Sequence, residues 1–382
     1  MLLAATSTLP VLPAAAAPGD DGAARVRGDQ WHLRYLHVPE ANRISRGLGV
    51  TVAVPDTGVD PHPDLVRNLL PGVDLIGGGS GDGRDDRDSH GTAMAGLIAA
   101  HGGPGTRGAL GIAPAAKILP IYGLPAETKG DSGTLASAIE WAVSHKADVI
   151  SVSGVTGPTA ELQKAVSAAL AADIVVVAGV GNHPDSTRIG YPAAYNGVIA
   201  VGGVDRYGNH AAVSVTGSEI DIAAPAVDIV STSIDGKYSK GTGTSSATAI
   251  VAGAAALIRS RYPKLSAEEV AHRLTATAVD KGPPGRDDQY GYGVIDLVAA
   301  LTADVPPWGA GKASDRPAAP TTTPAGGPAS TAMADPSGGT GDDGGATVRG
   351  LATLGVLVAA GGGWFLVRRR RRADDPPPRI SR

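Results

Sequence analysis

Three short motifs carry side chains whose types suit nucleophilic catalysis. Asp56 directly follows the apolar run VTVAVP, His90 lies in DSHGTAMAGLIAA, and Ser245 lies in GTGTSSATAIVAG. An imidazole can take the proton of an attacking hydroxyl, and a carboxylate can orient the imidazole. Taken singly, each residue has a structural alternative, because an aspartate can cap a turn, a histidine can be structural and a serine can cap a helix. Their presence together in one chain favours the catalytic interpretation.

The residues after Ser245 are rich in alanine, so we expect this serine at the N-terminus of a helix. Backbone N–H groups and the positive end of the helix dipole would then face an oxyanion. A nucleotide-binding α/β protein would instead carry a glycine-rich phosphate loop after its first strand. Asp56 stands at that place, and no such loop follows it, which excludes this class.

The blocks VAVPDTGVDPHPDL, DSHGTAMAGLIAA and GTSSATAIVAG resemble the three signature blocks of the subtilisin-like serine proteases, or subtilases, in the same chain order. The resemblance implies that Ser245 attacks the scissile carbonyl, that His90 transfers its proton and that Asp56 orients the imidazole. It also selects Ser245 over Ser246, since Gly243-Thr244-Ser245 matches the motif of the family. Protein or peptide substrates follow from this activity.

Two further segments resemble functional parts of the same family. In IVVVAGVGNHPDS, Asn182 stands where subtilases keep the asparagine of the oxyanion hole. In ADVISVSGV, Ser153 and Gly154 correspond to the strand that pairs with extended substrate. Calcium sites are common in subtilases, but no Asp- or Asn-rich loop here is specific enough to place one, so calcium binding is left open and we name no metal ligand and no cofactor.

The elements that must position these residues follow from short apolar runs. Continuous Val- and Ile-rich runs are typical of strands buried on both faces of a parallel sheet, and helix-like stretches separate them. The runs lie at residues 50–54, 117–121, 149–152, 174–177, 198–201 and 220–223. We therefore predict an α/β, subtilisin-like domain with a mostly parallel central sheet and helices on both faces. Polar groups should gather at the carboxyl ends of its strands.

Composition divides the chain into segments. Residues 1–17 resemble a partial signal peptide, 18–45 form an N-terminal extension, 46–302 form the catalytic domain, and 303–347 form a Pro-, Gly- and Ala-rich linker. Whether residues 18–45 block the cleft or pack on the domain is open at this stage. Residues 350–367 carry no charge and precede five arginines, which predicts one C-terminal transmembrane helix; a buried Ala/Gly-rich helix is the alternative. Residues 368–382 would then form a basic cytoplasmic tail.

Charge and cysteine content support this arrangement. The last fifteen residues hold seven arginines and two aspartates, so the remaining residues sum to −9 within a net charge of −4. Basic clusters can bind nucleic acid, but a run directly after an apolar span is explained by membrane topology, so we predict no nucleic-acid partner. The absence of cysteine excludes disulfides, Cys-ligated metal centres and thiol catalysis.

Within the subtilases, the chain resembles the mycosins, the membrane-anchored proteases of type VII secretion. The segment QWHLRYLHVPEA, the Pro/Ala-rich linker and the single span with its arginine stop carry this resemblance. It implies an extracytoplasmic catalytic domain in the cell membrane and a type VII secretion complex as partner. The alternative is a catalytically weak subtilase that serves as a structural component of such a complex.

Overall fold

The computed structural model describes residues 20–76, 81–124 and 131–308. Their main sheet contains β1 (Thr51–Asp56), β2 (Val73–Asp74), β3 (Lys117–Tyr122), β4 (Val149–Val152), β5 (Val175–Gly179), β6 (Ile199–Val204) and β7 (Ile222–Pro225). The order across the sheet is β2-β3-β1-β4-β5-β6-β7, and each neighbouring pair is parallel. The predicted α/β class and parallel sheet are therefore confirmed.

Side-chain alternation explains why the strands are apolar without interruption. Val52 and Val54 of β1 pack into one hydrophobic cluster, whereas Ala53 between them packs into another. Successive residues of a strand point to opposite faces, so the two clusters lie on the two faces of the sheet. Because both faces are covered, the strands lack the alternation of polar and apolar residues that is typical of a half-exposed strand.

Helices cover both faces of the sheet. Their bounds are α1 (Asp20–Asp29), α2 (Trp31–Tyr35), α3 (Val38–Ile44), α4 (His90–Ala99), α5 (Ser132–Ser144), α6 (Ala160–Ala171), α7 (Thr244–Arg261), α8 (Ala267–Ala276) and α9 (Leu297–Thr302). Residues of α4 and α7 belong to the first cluster and residues of α5 and α6 to the second. Each face therefore has its own helical layer.

The central helix α7 is buried along most of its length. It packs against β4, β5, β6 and β7 and against α4. Its buried residues from Ala247 to Ala256 are mainly alanine, with few larger side chains. Small side chains allow the helix to approach the sheet closely, which fixes the position of its first turn.

An antiparallel hairpin of β8 (Ile229–Thr232) and β9 (Tyr238–Gly241) stands apart from the main sheet. Two hydroxyls attach it to α4, since Ser231 Oγ donates to Ala93 O and Thr232 Oγ1 to Thr92 O, both at 2.7 Å. This hairpin was not predicted from the sequence. It leads directly into α7.

The described part of the N-terminal extension packs on the domain. The Gln30 side chain is fully buried and donates to Leu110 O at 3.0 Å and Val230 O at 3.2 Å, while its oxygen accepts from Leu110 N. Arg27 Nε donates to Gly108 O at 3.0 Å. These bonds connect α1 and α2 to the loop before β3 and to the hairpin.

No helix among residues 20–76, 81–124 and 131–308 is long and apolar enough to cross a membrane. The predicted signal peptide at 1–17, most of the linker, the predicted span at 350–367 and the basic tail lie outside the described residues. Those assignments stay predictions.

Candidate active site

A cleft of about 410 Å³ brings together three of the predicted residues, His90, Asn182 and Ser245. The ends of two strands position further predicted residues: Asp56 is the last residue of β1, and Ser153 directly follows β4. The helices α4 and α7 begin at the same edge of the sheet. This edge is where parallel α/β sheets place their functional groups.

Asp56 and His90 form a short hydrogen bond of 2.7 Å between Oδ1 and Nδ1. Asp56 is buried, and its Oδ1 also accepts from Thr57 N at 2.8 Å. An ionised carboxylate only accepts, so Nδ1 carries the proton and Nε2 of the neutral ring has a free lone pair. The His90 side chain is 38% exposed, which leaves it accessible from the cleft. This is the arrangement that a general base requires.

The charge of Asp56 raises the pKa of His90 to about 9, from an ordinary value of 6.5. Burial opposes this shift, whereas the hydrogen bond to Asp56 and the charges of Asp88 and Asp86 add to it. The imidazolium is therefore the favoured form at neutral pH. The neutral base becomes abundant only in alkaline solution.

Asp86 holds the segment that carries His90, a role that the sequence analysis missed. Its buried carboxylate accepts from Thr57 Oγ1 at 2.8 Å and from Thr92 N and Oγ1 at 2.8 and 2.6 Å. The backbone N–H groups of Asp88 and Ser89 donate to it as well, each at 3.0 Å. The negative charge of a carboxylate at the N-terminus of α4 interacts favourably with the dipole of that helix. The only sequence signal was its position four residues before His90.

Close packing between α4 and the end of β1 depends on Gly91. A Cβ atom there would lie 2.0 Å from Gly58 O, so only glycine fits. Gly91 N donates to Thr57 Oγ1 at 2.9 Å. The preceding residue, Ser89, adopts a left-handed conformation with φ of 87°, which is strained for a residue with a Cβ.

Ser245 lies in the first turn of α7 and its side chain is partly exposed to the cleft. The N-cap residue is Gly243, so the alternative role of Ser245 as the cap is wrong. Ser245 Oγ donates to Ser153 O at 3.2 Å, and no hydrogen bond to His90 occurs in the described structure. Ser246 is buried although it borders the same cleft. Ser245 is therefore the more accessible of the two hydroxyls.

The first residue of α7, Thr244, fixes the side chain of Asn182. Its Oδ1 accepts from Thr244 N at 2.8 Å and from Thr244 Oγ1 at 3.1 Å. Because the N–H of Thr244 must donate to an oxygen, the Asn182 amide is oriented with Oδ1 toward Thr244. Its Nδ2 is then available to donate to another group. A Cβ at Gly243 would lie 3.1 Å from this nitrogen, which explains the glycine there.

The two predicted substrate-binding residues, Ser153 and Gly154, follow β4 beside Ser245. Ser153 is buried and offers its carbonyl oxygen to Ser245 Oγ, while its own hydroxyl has no partner among the described residues. Gly154 is partly exposed. None of the described residues of the extension, 20–45, lines the cleft. The open question about that segment is thus answered for its described part, which packs outside the cleft.

The chain is similar to known proteins in both sequence and structure. The model of the subtilase family matches residues 47–293. The chain is 42% identical over 261 residues to subtilisin DY of Bacillus licheniformis, covering 67% of this chain and 92% of that protein. MycP1 from Mycobacterium smegmatis has a similar structure, with a TM-score of 0.65 at 30% identity, covering 76% of this chain and 88% of that one. The MycP3 protease from the type VII (ESX-3) secretion system gives a TM-score of 0.63 at 34% identity, over 75% of this chain and 90% of that one.

Proposed function

Because the chain belongs to the subtilase family of serine proteases, we propose that it cleaves peptide bonds with Ser245 as nucleophile, His90 as general base and Asp56 as the orienting carboxylate. The observation that carries this proposal is the 2.7 Å bond between Asp56 and His90, whose ring borders the same cleft as Ser245. Both the chemistry and the order of these groups fit acyl transfer.

The reaction starts when the Ser245 hydroxyl turns from Ser153 O toward His90 Nε2. Oγ then attacks the substrate carbonyl carbon while its proton passes to Nε2, giving a tetrahedral intermediate and an imidazolium paired with Asp56. Asn182 Nδ2 and the backbone N–H of Ser245 would donate to the oxyanion. The imidazolium returns the proton to the leaving amine, and water repeats the sequence on the acyl-enzyme. An extended substrate would pair with Ser153 and Gly154.

An active-site fluorophosphonate tests the assignment of the nucleophile. We expect one label per chain at Ser245, lost in Ser245→Ala and retained in Ser246→Ala, which serves as the neighbouring control. Labelling should accelerate from pH 7 to pH 9, because His90 loses its proton over this range. Unlabelled wild-type protein at pH 9, or equal labelling of Ser245→Ala, would contradict the proposal.

A second function, a weakly active subtilase that acts as a structural component, is favoured by one observation. Ser245 Oγ donates to Ser153 O at 3.2 Å, so in the described structure the nucleophile is not hydrogen-bonded to its base. Hydrolysis of a peptide substrate at pH 9 separates the two functions. Turnover that stays negligible at this pH would favour the structural role.

We also propose that residues 350–367 anchor the protein in the cell membrane, with the catalytic domain outside and residues 368–382 in the cytoplasm. The support is the uncharged stretch followed by five arginines. Full-length protein should sediment with membranes and release its domain to external protease. A variant that ends at residue 347 should be soluble, and its sedimentation with membranes would count against the anchor.

Association with type VII secretion is the third part of the proposal. Its support is the structural similarity to MycP1 and to MycP3, the protease from the type VII (ESX-3) secretion system. We expect genes of a secretion ATPase and channel beside the gene of this chain, and co-purification of the tagged protein with that channel. An isolated gene and a protein that purifies alone would place it outside such a system.

A further inference from the structure

A second groove, of about 720 Å³, lies between α1 and the β8–β9 hairpin. We call it the α1 groove. Helix α1 contributes Gly22, Arg25, Val26 and Asp29, whose spacing places them on one helical face. The mechanism proposed above uses none of these residues.

The hairpin forms a common wall of the cleft and the α1 groove. On β8, Ile229 and Ser231 line the cleft, whereas Val230 between them lines the groove. On β9, Gly241 borders the cleft and Lys240 the groove. Alternation along the strands accounts for this division, since successive residues face opposite sides. Only the hairpin would therefore separate a ligand in the groove from a substrate in the cleft.

The floor of the α1 groove is apolar and its rim is mainly cationic. Val26, Val230 and Tyr238 supply the floor. The charged lining residues are the cations Arg25, Arg206, Lys237 and Lys240 and the anions Asp29 and Asp228. Lys237 is paired at 3.2 Å with Asp235, which stands just outside the lining, so the lining and this partner together hold one more cation than anions.

Part of this positive charge lacks a matching carboxylate. Asp228 lies between two cations, 3.3 Å from Lys240 and 3.9 Å from Arg206, so one carboxylate serves both. Arg25 is exposed, and within the described structure it has no ion pair. The chain before Arg368 carries a net charge of −9, so its net charge is opposite in sign to that of this rim. Anionic ligands are attracted to such a rim.

We propose that the α1 groove is an exosite that binds an acidic segment of a protein substrate. Carboxylates of that segment pair with Arg25 and Lys240, and an apolar side chain rests on Val230 and Tyr238. Identification of the occupant as a substrate rests on the proposed protease function, whereas binding itself needs no catalysis. Electrostatic attraction makes the binding sensitive to salt.

Direct binding is measured on full-length Ser245→Ala protein, which does not cut the probe. The probe is a fluorescein-labelled peptide with one leucine flanked on each side by four glutamates, followed by fluorescence polarisation. In this background, Arg25→Glu with Lys240→Glu should weaken binding at least tenfold. The matched control is Lys164→Glu with Lys264→Glu, which changes the charge equally at two exposed lysines outside the groove and should bind as the parent does.

The outcomes separate the exosite from the proposed function. A version of the probe with glutamine for glutamate should bind at least tenfold more weakly. Equal binding by both charge-reversed proteins, equal binding of the glutamine peptide, or no binding at all would overturn the exosite, whatever the activity of the wild type. Loss of phosphonate labelling with retained binding would instead overturn only the protease function.

A kinetic measurement tests the link to the substrate. Attachment of the acidic segment to a cleavable peptide should lower KM several-fold in the active protein and leave kcat unchanged. Arg25→Glu with Lys240→Glu should remove this advantage while short peptides without the segment are cut as before. Equal KM values for the two peptides in the wild type would refute a role in substrate binding.

Discussion

The pH dependence of peptide hydrolysis follows from the contact between His90 and Asp56. With a His90 pKa of about 9, only about 1% of the protein carries the neutral base at pH 7, whereas a histidine at its ordinary 6.5 would be about three quarters neutral. We therefore expect kcat/KM to rise close to tenfold per pH unit from pH 6 to 8 and to level off above about 9.

Asp56→Asn removes the largest cause of the shift, so the acid limb of the pH profile should move down toward 6.5. The plateau should fall by about 10⁴ because the tautomer is no longer held. Asp85→Asn is the matched control: it removes an equal charge nearby, from a carboxylate 2.6 Å from Arg87, and should leave the limb in place.

Initial rates on a neutral chromogenic peptide from pH 5.5 to 10.5 give the profile. NMR titration of labelled His90 in the Ser245→Ala protein gives the pKa without turnover. A midpoint at or below about 6.5 in the wild type would refute the reasoning, as would an unchanged limb in Asp56→Asn.

Three further outcomes concern Asn182, Ser89 and the buried His32. Asn182→Asp keeps the acceptor for Thr244 but loses the Nδ2 donor, so kcat should fall by about 10²–10³ with little change in KM, and an unchanged kcat would contradict the oxyanion role. Ser89→Gly should raise the unfolding free energy by about 0.5–1 kcal/mol, because relief of the left-handed strain exceeds the entropy cost of glycine, and thermal melting beside Ser89→Ala, which cannot relieve it, checks this. His32 is fully buried with a pKa near 3, so the unfolded chain takes up a proton below 6.5 that the folded chain does not, and stability should fall by about 1.4 kcal/mol per pH unit from pH 6.5 toward 3. His32→Leu should flatten this loss in urea titrations, and equal slopes for the two proteins would argue against it.

The parallel sheet was predictable because its strands are buried on both faces. Each predicted run overlaps a strand, although the run at 50–54 stops two residues before β1 ends at Asp56. The capping box at Ser266 and Glu269, which begins α8, likewise leaves its pattern in four consecutive residues. Local sequence sufficed here, since burial and capping both leave short patterns.

Other parts depend on contacts that local sequence does not encode. The hairpin was missed although Asp235 and Gly236 stand between two short runs, and its attachment to α4 involves serine and threonine hydroxyls far away in the chain. The role of Asp86 required knowledge that Thr57 and Thr92 meet at its carboxylate. The direction of the Ser245 hydroxyl toward Ser153 O is likewise a matter of tertiary geometry.

The alanine-rich helix α7 limits how this protein can change over evolution. Its side chains from Ala247 to Ala256 are almost wholly inaccessible to solvent, so any enlargement there pushes the helix away from the sheet. Such a displacement moves Ser245 at its first turn, and an ångström is enough to lower a catalytic rate greatly. We therefore expect substitutions that alter substrate preference to fall in the loops and in the hairpin, and the buried part of α7 behind Ser245 to change little.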